Sequence, residues 1–332
     1  MPCGTIRRPG SEDGMIGNIA RLLLMAALLA GAAAPEARAD ATGWAVTLET
    51  QKREGGTEQI PATILKPDGS GPFPAIVMLH DCSGLGSRSS GAPRRWADFL
   101  TPLGYVVIMP DSFSSRGFPE GICTASAETP IEQLRRTFPI QRMYDAYAAL
   151  AYLRAQPFVD GAHVGVMGGS HGGSSTLISM VEPAAGLLAA EKRAGFAAGI
   201  ALYPGCGDRY GLWSVRRELG DHGPVIAYDG VYRPIGPLLI LAGEKDDWTP
   251  ARDCQALAER SHAAGFPVDI VVYAGARHSF DSAARVNFNP NRRNVNAPDR
   301  RGATTGGDPD AWADSKTRVA AFFARTLKGN TN

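Results

Sequence analysis

Gly168-Gly169-Ser170-His171-Gly172 is the segment of this chain best equipped to do chemistry. It fits the pattern G-x-S-x-G, which demands a sharp turn from a buried strand into a helix, so that the serine Oγ projects above the sheet edge. Small residues at the flanking positions let neighbouring backbones approach. The apolar run His163 to Met167 precedes the motif, and Gly172 to Met180 reads as the helix that follows. A serine hydroxyl is a poor nucleophile at neutral pH and needs an adjacent base. A histidine held in one tautomer by a carboxylate serves that role. For an elbow of this kind the chain order is serine, then acid, then histidine.

Two segments fit that order. Asp246 lies in Gly243-Glu-Lys-Asp246-Asp247-Trp248-Thr-Pro250, directly after the apolar run Leu238 to Leu241. His278 lies in Gly275-Ala-Arg-His278-Ser-Phe280, after the run Val268 to Tyr273. Both would sit at the C-terminal ends of strands, where ligands bind open parallel sheets. Asp247 is the alternative acid. His262 reads as mid-helix and His222 as part of a Gly/Pro loop, so neither has the post-strand position. Acyl chemistry also needs two backbone N–H groups aimed at the developing oxyanion. His171, next after the nucleophile, should supply one. The turn His80-Asp81-Cys82-Ser83-Gly84 should supply the other, at Cys82.

The elements that must position these residues are visible as apolar runs. Trp44 to Leu48 and Ile60 to Leu65 come first, with Pro61 arguing against an undisturbed central strand for the second. Then follow Ala75 to Leu79, Tyr105 to Met109, His163 to Met167, Gly199 to Tyr203, Leu238 to Leu241 and Val268 to Tyr273. Runs without polar alternation fit strands buried on both faces of a parallel sheet. Helical patterns separate them: Arg94 to Leu103, Gln141 to Ala155, Ala251 to Ala264, and a last helix from Asp308-Pro309 to about Leu327. Thr129-Pro130-Ile131-Glu132 has the capping-box pattern, with proline at the first helical position. The alternation predicts a single α/β domain with a mostly parallel sheet of about eight strands and helices on both faces. The polar stretch 287–307, rich in Asn, Arg, Gly and Pro, reads as a mobile surface loop.

The N-terminal segment reads as an address. Arg21 precedes the thirteen uncharged residues Leu22 to Ala34, and Ala37-Arg38-Ala39 offers a small-residue cleavage site. That is the layout of a secretory signal peptide covering residues 1–39, with Met15 as an alternative start. Thirteen helical residues rise only ~20 Å, short of the ~30 Å hydrocarbon core, so a stable membrane anchor is not expected. Cleavage would leave residues 40–332, with Cys82, Cys123, Cys206 and Cys254. An even count in an exported chain permits two disulfides, although sequence does not fix their connectivity. We expect Cys82–Cys123 and Cys206–Cys254, and a periplasmic or secreted protein. Lys+Arg number 34 against Asp+Glu 33, which lacks the basic footprint of a nucleic-acid binder.

His80-Asp-Cys-Ser-Gly84, Pro110-Asp111-Ser-Phe-Ser-Ser-Arg116-Gly117, the Ser170 elbow, Gly243-Glu-Lys-Asp246 and His278-Ser-Phe280 together resemble the dienelactone hydrolase family of the α/β-hydrolase fold. The resemblance spans about residues 60 to 325. It favours Asp246 over Asp247, since the family's acid holds the fourth place after the glycine. It implies ester or lactone hydrolysis of a small molecule, with neither metal nor organic cofactor. Ser170 departs from the founding type, which uses cysteine and is cytosolic, so the muconate-pathway dienelactone is not the expected substrate. Arg116 is a candidate for holding a substrate carboxylate by a bidentate contact, or for a structural salt bridge. Trp248, with Tyr210 and Trp213, is a candidate for lining the pocket or for simple packing. Two rival readings are a peptidase of the same fold and a non-catalytic homologue that binds a ligand. Oligomeric state is not legible.

Overall fold

The computed structural model describes residues 42–126, 128–181, 195–207 and 230–329, all within one compact unit spanning Ala39–Asn332. The expected signal segment, Tyr210, Trp213 and His222 lie outside the described residues. The chain opens with β1 (Thr42–Gln51) and β2 (Thr57–Lys66), an antiparallel pair. Six further strands complete an eight-stranded sheet: β3 (Phe73–Leu79), β4 (Val106–Pro110), β5 (Val159–Gly169), β6 (Ala198–Leu202), β7 (Leu238–Gly243) and β8 (Asp269–Tyr273). Their spatial order is β1-β2-β4-β3-β5-β6-β7-β8, and every pairing from β4 to β8 is parallel. Pro61 is tolerated at the end of the β2–β4 ladder because it takes part only as an acceptor, from the Asp111 N–H at 2.8 Å. The last registered pair there is Ala62 with Pro110.

Successive side chains of a strand point to opposite faces, so each apolar run feeds two cores. Ala75, Val77 and Leu79 of β3 join one cluster, whereas Ile76 and Met78 join the other. The first cluster packs against α3 (Pro139–Arg154), α4 (His171–Met180) and α5 (Ala251–Ala263) through Leu150, Leu177 and Leu257. The second packs against α1 (Ala92–Leu100) and α6 (Pro309–Leu327) through Trp96, Phe322 and Phe323. Asp308 caps α6 by accepting from the Ala311 N–H at 3.0 Å, with Pro309 in the first turn.

Three local expectations need correction. The pattern at Thr129 gives only the short α2 (Ile131–Arg135), capped by Pro130 without a side-chain bond. The predicted helix 94–103 begins at Ala92 and ends at Leu100, its last residues tightening into a 3-10 turn. The stretch 287–307 is no loose loop but the antiparallel pair β9 (Asn287–Arg293) and β10 (Arg301–Thr305). Polar side chains stabilise it where apolar ones are missing. Asn294, 2% exposed, donates from Nδ2 to the carbonyls of Asp247 (2.9 Å) and Gly302 (2.7 Å).

Cys82 is bonded to Cys123 and Cys206 to Cys254. The Cys206–Cys254 bond spans 48 residues and lies in the core beneath α5. Replacing both cysteines by serine is expected to cost about 2–4 kcal/mol by freeing the unfolded chain. Urea titration of the double variant checks this, and a loss below about 1 kcal/mol would contradict it.

Candidate active site

The C-terminal ends of β3, β5, β7 and β8 converge on one place. At the end of β5 the chain turns through Ser170 at φ 55°, ψ −118°, a conformation that costs a non-glycine residue about 1–3 kcal/mol. The turn is held by the Ser170 N–H donating to the Leu202 carbonyl (2.9 Å), and by Ser174 N–H donating to the Ser170 carbonyl (2.9 Å). Gly172 is required by close approach: a Cβ there would lie 2.1 Å from the Leu79 carbonyl oxygen. Strain, strand and glycine together put the Ser170 side chain at the mouth of the sheet.

Ser170 Oγ lies 2.8 Å from His278 Nε2, and His278 Nδ1 lies 2.7 Å from Asp246 Oδ2. All three residues are buried, and Asp246 is oriented from every side. Its Oδ1 accepts the N–H groups of Trp248 (2.9 Å) and Thr249 (2.8 Å). Thr249 Oγ1 lies 2.9 Å from Asp246 Oδ2 and 3.0 Å from His278 Nδ1. Asp247 points the other way, exposed, and its carboxylate accepts the N–H and hydroxyl of Thr304 in β10. Thr249 was not singled out by sequence, although its place two residues beyond the acid pair in a post-strand turn was a usable signal.

The turn after β3 is braced at three successive carbonyls. Arg142 Nη2 donates to the His80 carbonyl (2.7 Å), His80 Nδ1 to the Asp81 carbonyl (2.7 Å), and Ile122 N–H to the Cys82 carbonyl (2.7 Å). His80 Nε2 in turn accepts from the Ser112 N–H at 3.1 Å. Because a trans peptide holds its C=O and N–H in opposite directions, fixing the Asp81 carbonyl fixes where the Cys82 N–H points. The Ser170 carbonyl, tied into α4, fixes the His171 N–H in the same way. Neither N–H has a protein acceptor among the described residues, and both residues line a common cavity with Ser170. The disulfide to Cys123 fastens this turn to the neighbouring segment of Ile122 and Cys123, which also lines the cavity.

That cavity has a volume of about 560 Å³. Ile122, Leu134, Phe138, Trp248 and Val295 give it a largely apolar lining. Trp248 is fixed by its Nε1–H, which donates to the Arg293 carbonyl (2.8 Å), and its ring lies 4.9 Å from that of His278. The polar hairpin therefore contributes to the site, through Arg293, Val295 and Asn296.

Arg116 is not at the cavity. Its guanidinium is wholly buried and forms a bidentate pair with Asp145, at 2.7 Å for both bonds, while Nε donates to Glu58 at 2.8 Å. Both acidic partners occupy the fork that a substrate carboxylate would need, so the structural alternative holds. Arg116→Met is expected to destabilise the fold by about 3–5 kcal/mol, because it strands buried Asp145 without its partner. A thermal melt checks this; an unchanged melting temperature together with a raised KM would contradict it.

Comparison with known proteins agrees with this architecture. Residues 60–327 match the model of the dienelactone hydrolase family. A Methylorubrum extorquens protein named "Putative carboxymethylenebutenolidase" is 27% identical over 232 residues, 69% of this chain and 70% of that one. Esterase 2 of Thermogutta terrifontis, solved phosphorylated by paraoxon, superposes with a TM-score of 0.55 at 20% identity, over 87% of this chain and 96% of that one. A dienelactone hydrolase-like promiscuous phosphotriesterase from metagenomic libraries, P91, gives 0.54 at 21% identity, over 87% and 100%. The chain belongs to the dienelactone hydrolase family and is a hydrolase of that fold.

Proposed function

We propose that this family member is a serine hydrolase that cleaves carboxylic esters or lactones through an acyl-enzyme. The observation that carries the proposal is the hydrogen-bonded line from Ser170 Oγ through His278 to Asp246, opening on an apolar cavity. In this reading His278 Nε2 takes the Ser170 proton as Oγ attacks the carbonyl carbon. Asp246 holds Nδ1 protonated and stabilises the imidazolium that forms. The N–H groups of Cys82 and His171 receive the tetrahedral oxyanion. His278 then returns the proton to the departing alcohol, and a water activated by the same imidazole releases the acid. Trp248 and the apolar wall would hold the non-reacting part of the substrate.

The apolar side chains of the wall favour a hydrophobic acyl or alkoxy group, while Asp253, Arg260, Arg293 and Asn296 supply a polar part of the lining. Hydrolysis of p-nitrophenyl esters of increasing acyl length tests the reading. Saturable turnover with an optimum above acetate is expected. A folded protein inactive on every ester and on simple lactones would overturn it.

We further propose that the protein works outside the cytoplasm. Two disulfides support this, because such bonds persist in oxidising compartments. No described helix is long and apolar enough to cross a membrane. Thiol counting on protein recovered from the periplasm should find none free in the cleaved chain. Four free thiols there would contradict the disulfides, and recovery of only the uncleaved chain, from the cytoplasm, would contradict the placement.

A further inference from the structure

Arg142, on α3, is a charged residue among apolar ones. Its side chain is fully buried and forms no ion pair with a carboxylate among the described residues. Its Nε has no hydrogen-bond partner among the described residues. Burying a charge in this way is costly, and it is offset by the hydrogen bonds of its two Nη atoms and by the longer-range attraction of Asp145, Asp81 and Asp111. The guanidinium lies 5.1 Å from the Phe113 ring, whose edges also meet His80 (4.5 Å) and His171 (5.8 Å). Its two remaining bonds run to the two segments that hold the proposed oxyanion donors: Nη2 to the His80 carbonyl, and Nη1 to His171 Nδ1 at 2.8 Å.

The second bond settles a proton. A guanidinium only donates, so His171 Nδ1 must accept, and a neutral imidazole then carries its hydrogen on Nε2. That Nε2 has no protein partner among the described residues, yet it is not a buried unsatisfied atom, and His171 lines the cavity. It therefore opens on the cavity beside Ser170. Desolvation and the neighbouring Arg142 charge both push His171 well below the ordinary histidine range, which keeps the ring neutral.

We propose that Arg142 is a positioning residue of the oxyanion site, holding the His171 ring as a neutral Nε2–H donor to the cavity and clamping the backbone that leads to Cys82. The inference rests on the esterase reading for its consequence in catalysis, but its structural part stands without turnover. A guanidinium does this where a lysine ammonium cannot, since its planar fork reaches two acceptors in fixed directions.

The test is nitrogen-15 NMR of histidine-labelled protein at pH 7, with His171 assigned by its absence in His171→Gln, alongside kinetics of Arg142→Lys and Arg142→Met. In the unaltered protein His171 should show a protonated Nε2 and an unprotonated Nδ1. In a folded Arg142 variant the ring should lose that single tautomer. On any ester that the unaltered protein turns over, kcat should fall about 10–100-fold, part of what one oxyanion donor contributes. KM should change less than about threefold, and lysine should restore only part of the loss. An imidazolium or a protonated Nδ1 at His171 in the unaltered protein would overturn the proposal, even if neither variant folds. So would a folded Arg142→Met variant with unchanged His171 signals or unchanged kcat. Absence of ester turnover, with the tautomer as expected, would instead count against the esterase reading.

Discussion

Ser170→Ala is expected to leave a folded protein whose kcat on esters is lower by at least about 10⁴-fold. The substitution removes one oxygen from a buried side chain whose Oγ faces His278. The turn itself is kept by backbone bonds to Leu202 and from Ser174, which alanine retains. Alanine adopts φ near 55° at the same strain serine already carries, so the stability change should not exceed about 1 kcal/mol, the net worth of the lost Ser170–His278 hydrogen bond. What distinguishes the catalytic reading is the scale of the kinetic loss against an intact fold. Residual activity within about 100-fold of the unaltered enzyme would remove Ser170 from the nucleophile's role.

Asp246→Asn should lower kcat by about 10⁴-fold, the magnitude known for the equivalent change in serine proteases. The reason is geometric. Oδ1 accepts two backbone N–H groups, so the asparagine carbonyl is drawn to that side and its amide NH₂ is left facing His278 Nδ1. The imidazole must then accept at Nδ1 and carry its proton on Nε2, where it can no longer take one from Ser170. Asp247→Asn makes the matched control. Its carboxylate is tied to Thr304 on the exposed side, and activity should stay within about tenfold. The reverse ranking of the two variants would contradict the account.

Much of this was legible from residue order because strand ends are legible. Continuous apolar runs locate β3, β5, β7 and β8, and the short segment that follows each run is what the sheet delivers to its C-terminal edge. Ser170, Asp246 and His278 are separated by 76 and 32 positions along the chain, yet each is found by that rule. Arg116 shows the limit. Its partners Glu58 and Asp145 lie 58 and 29 residues away, on β2 and α3, and no local pattern reveals a pairing of that kind. Arg142 is a related case, although it left a trace. Arg142 and Asp145 are two charges three residues apart on a helix face otherwise made of Met143, Ala146, Ala149 and Leu150. Charges on a face that must be buried have work to do there or a partner to meet. The β9–β10 hairpin was hidden for a different reason: its order comes from main-chain pairing and from Asn294, which composition counts as loop-forming.

The most direct test of the central claim is covalent. A serine hydroxyl activated by a hydrogen-bonded imidazole attacks an electrophilic phosphorus centre, so Ser170 Oγ beside His278 Nε2 is the atom expected to react. The protein should be treated with a fluorophosphonate probe, digested, and the adduct located by mass spectrometry. One probe per chain, on the peptide carrying Ser170 and absent from the Ser170→Ala variant, is the result the account predicts. No adduct on folded protein, or an adduct on any other residue, would contradict it.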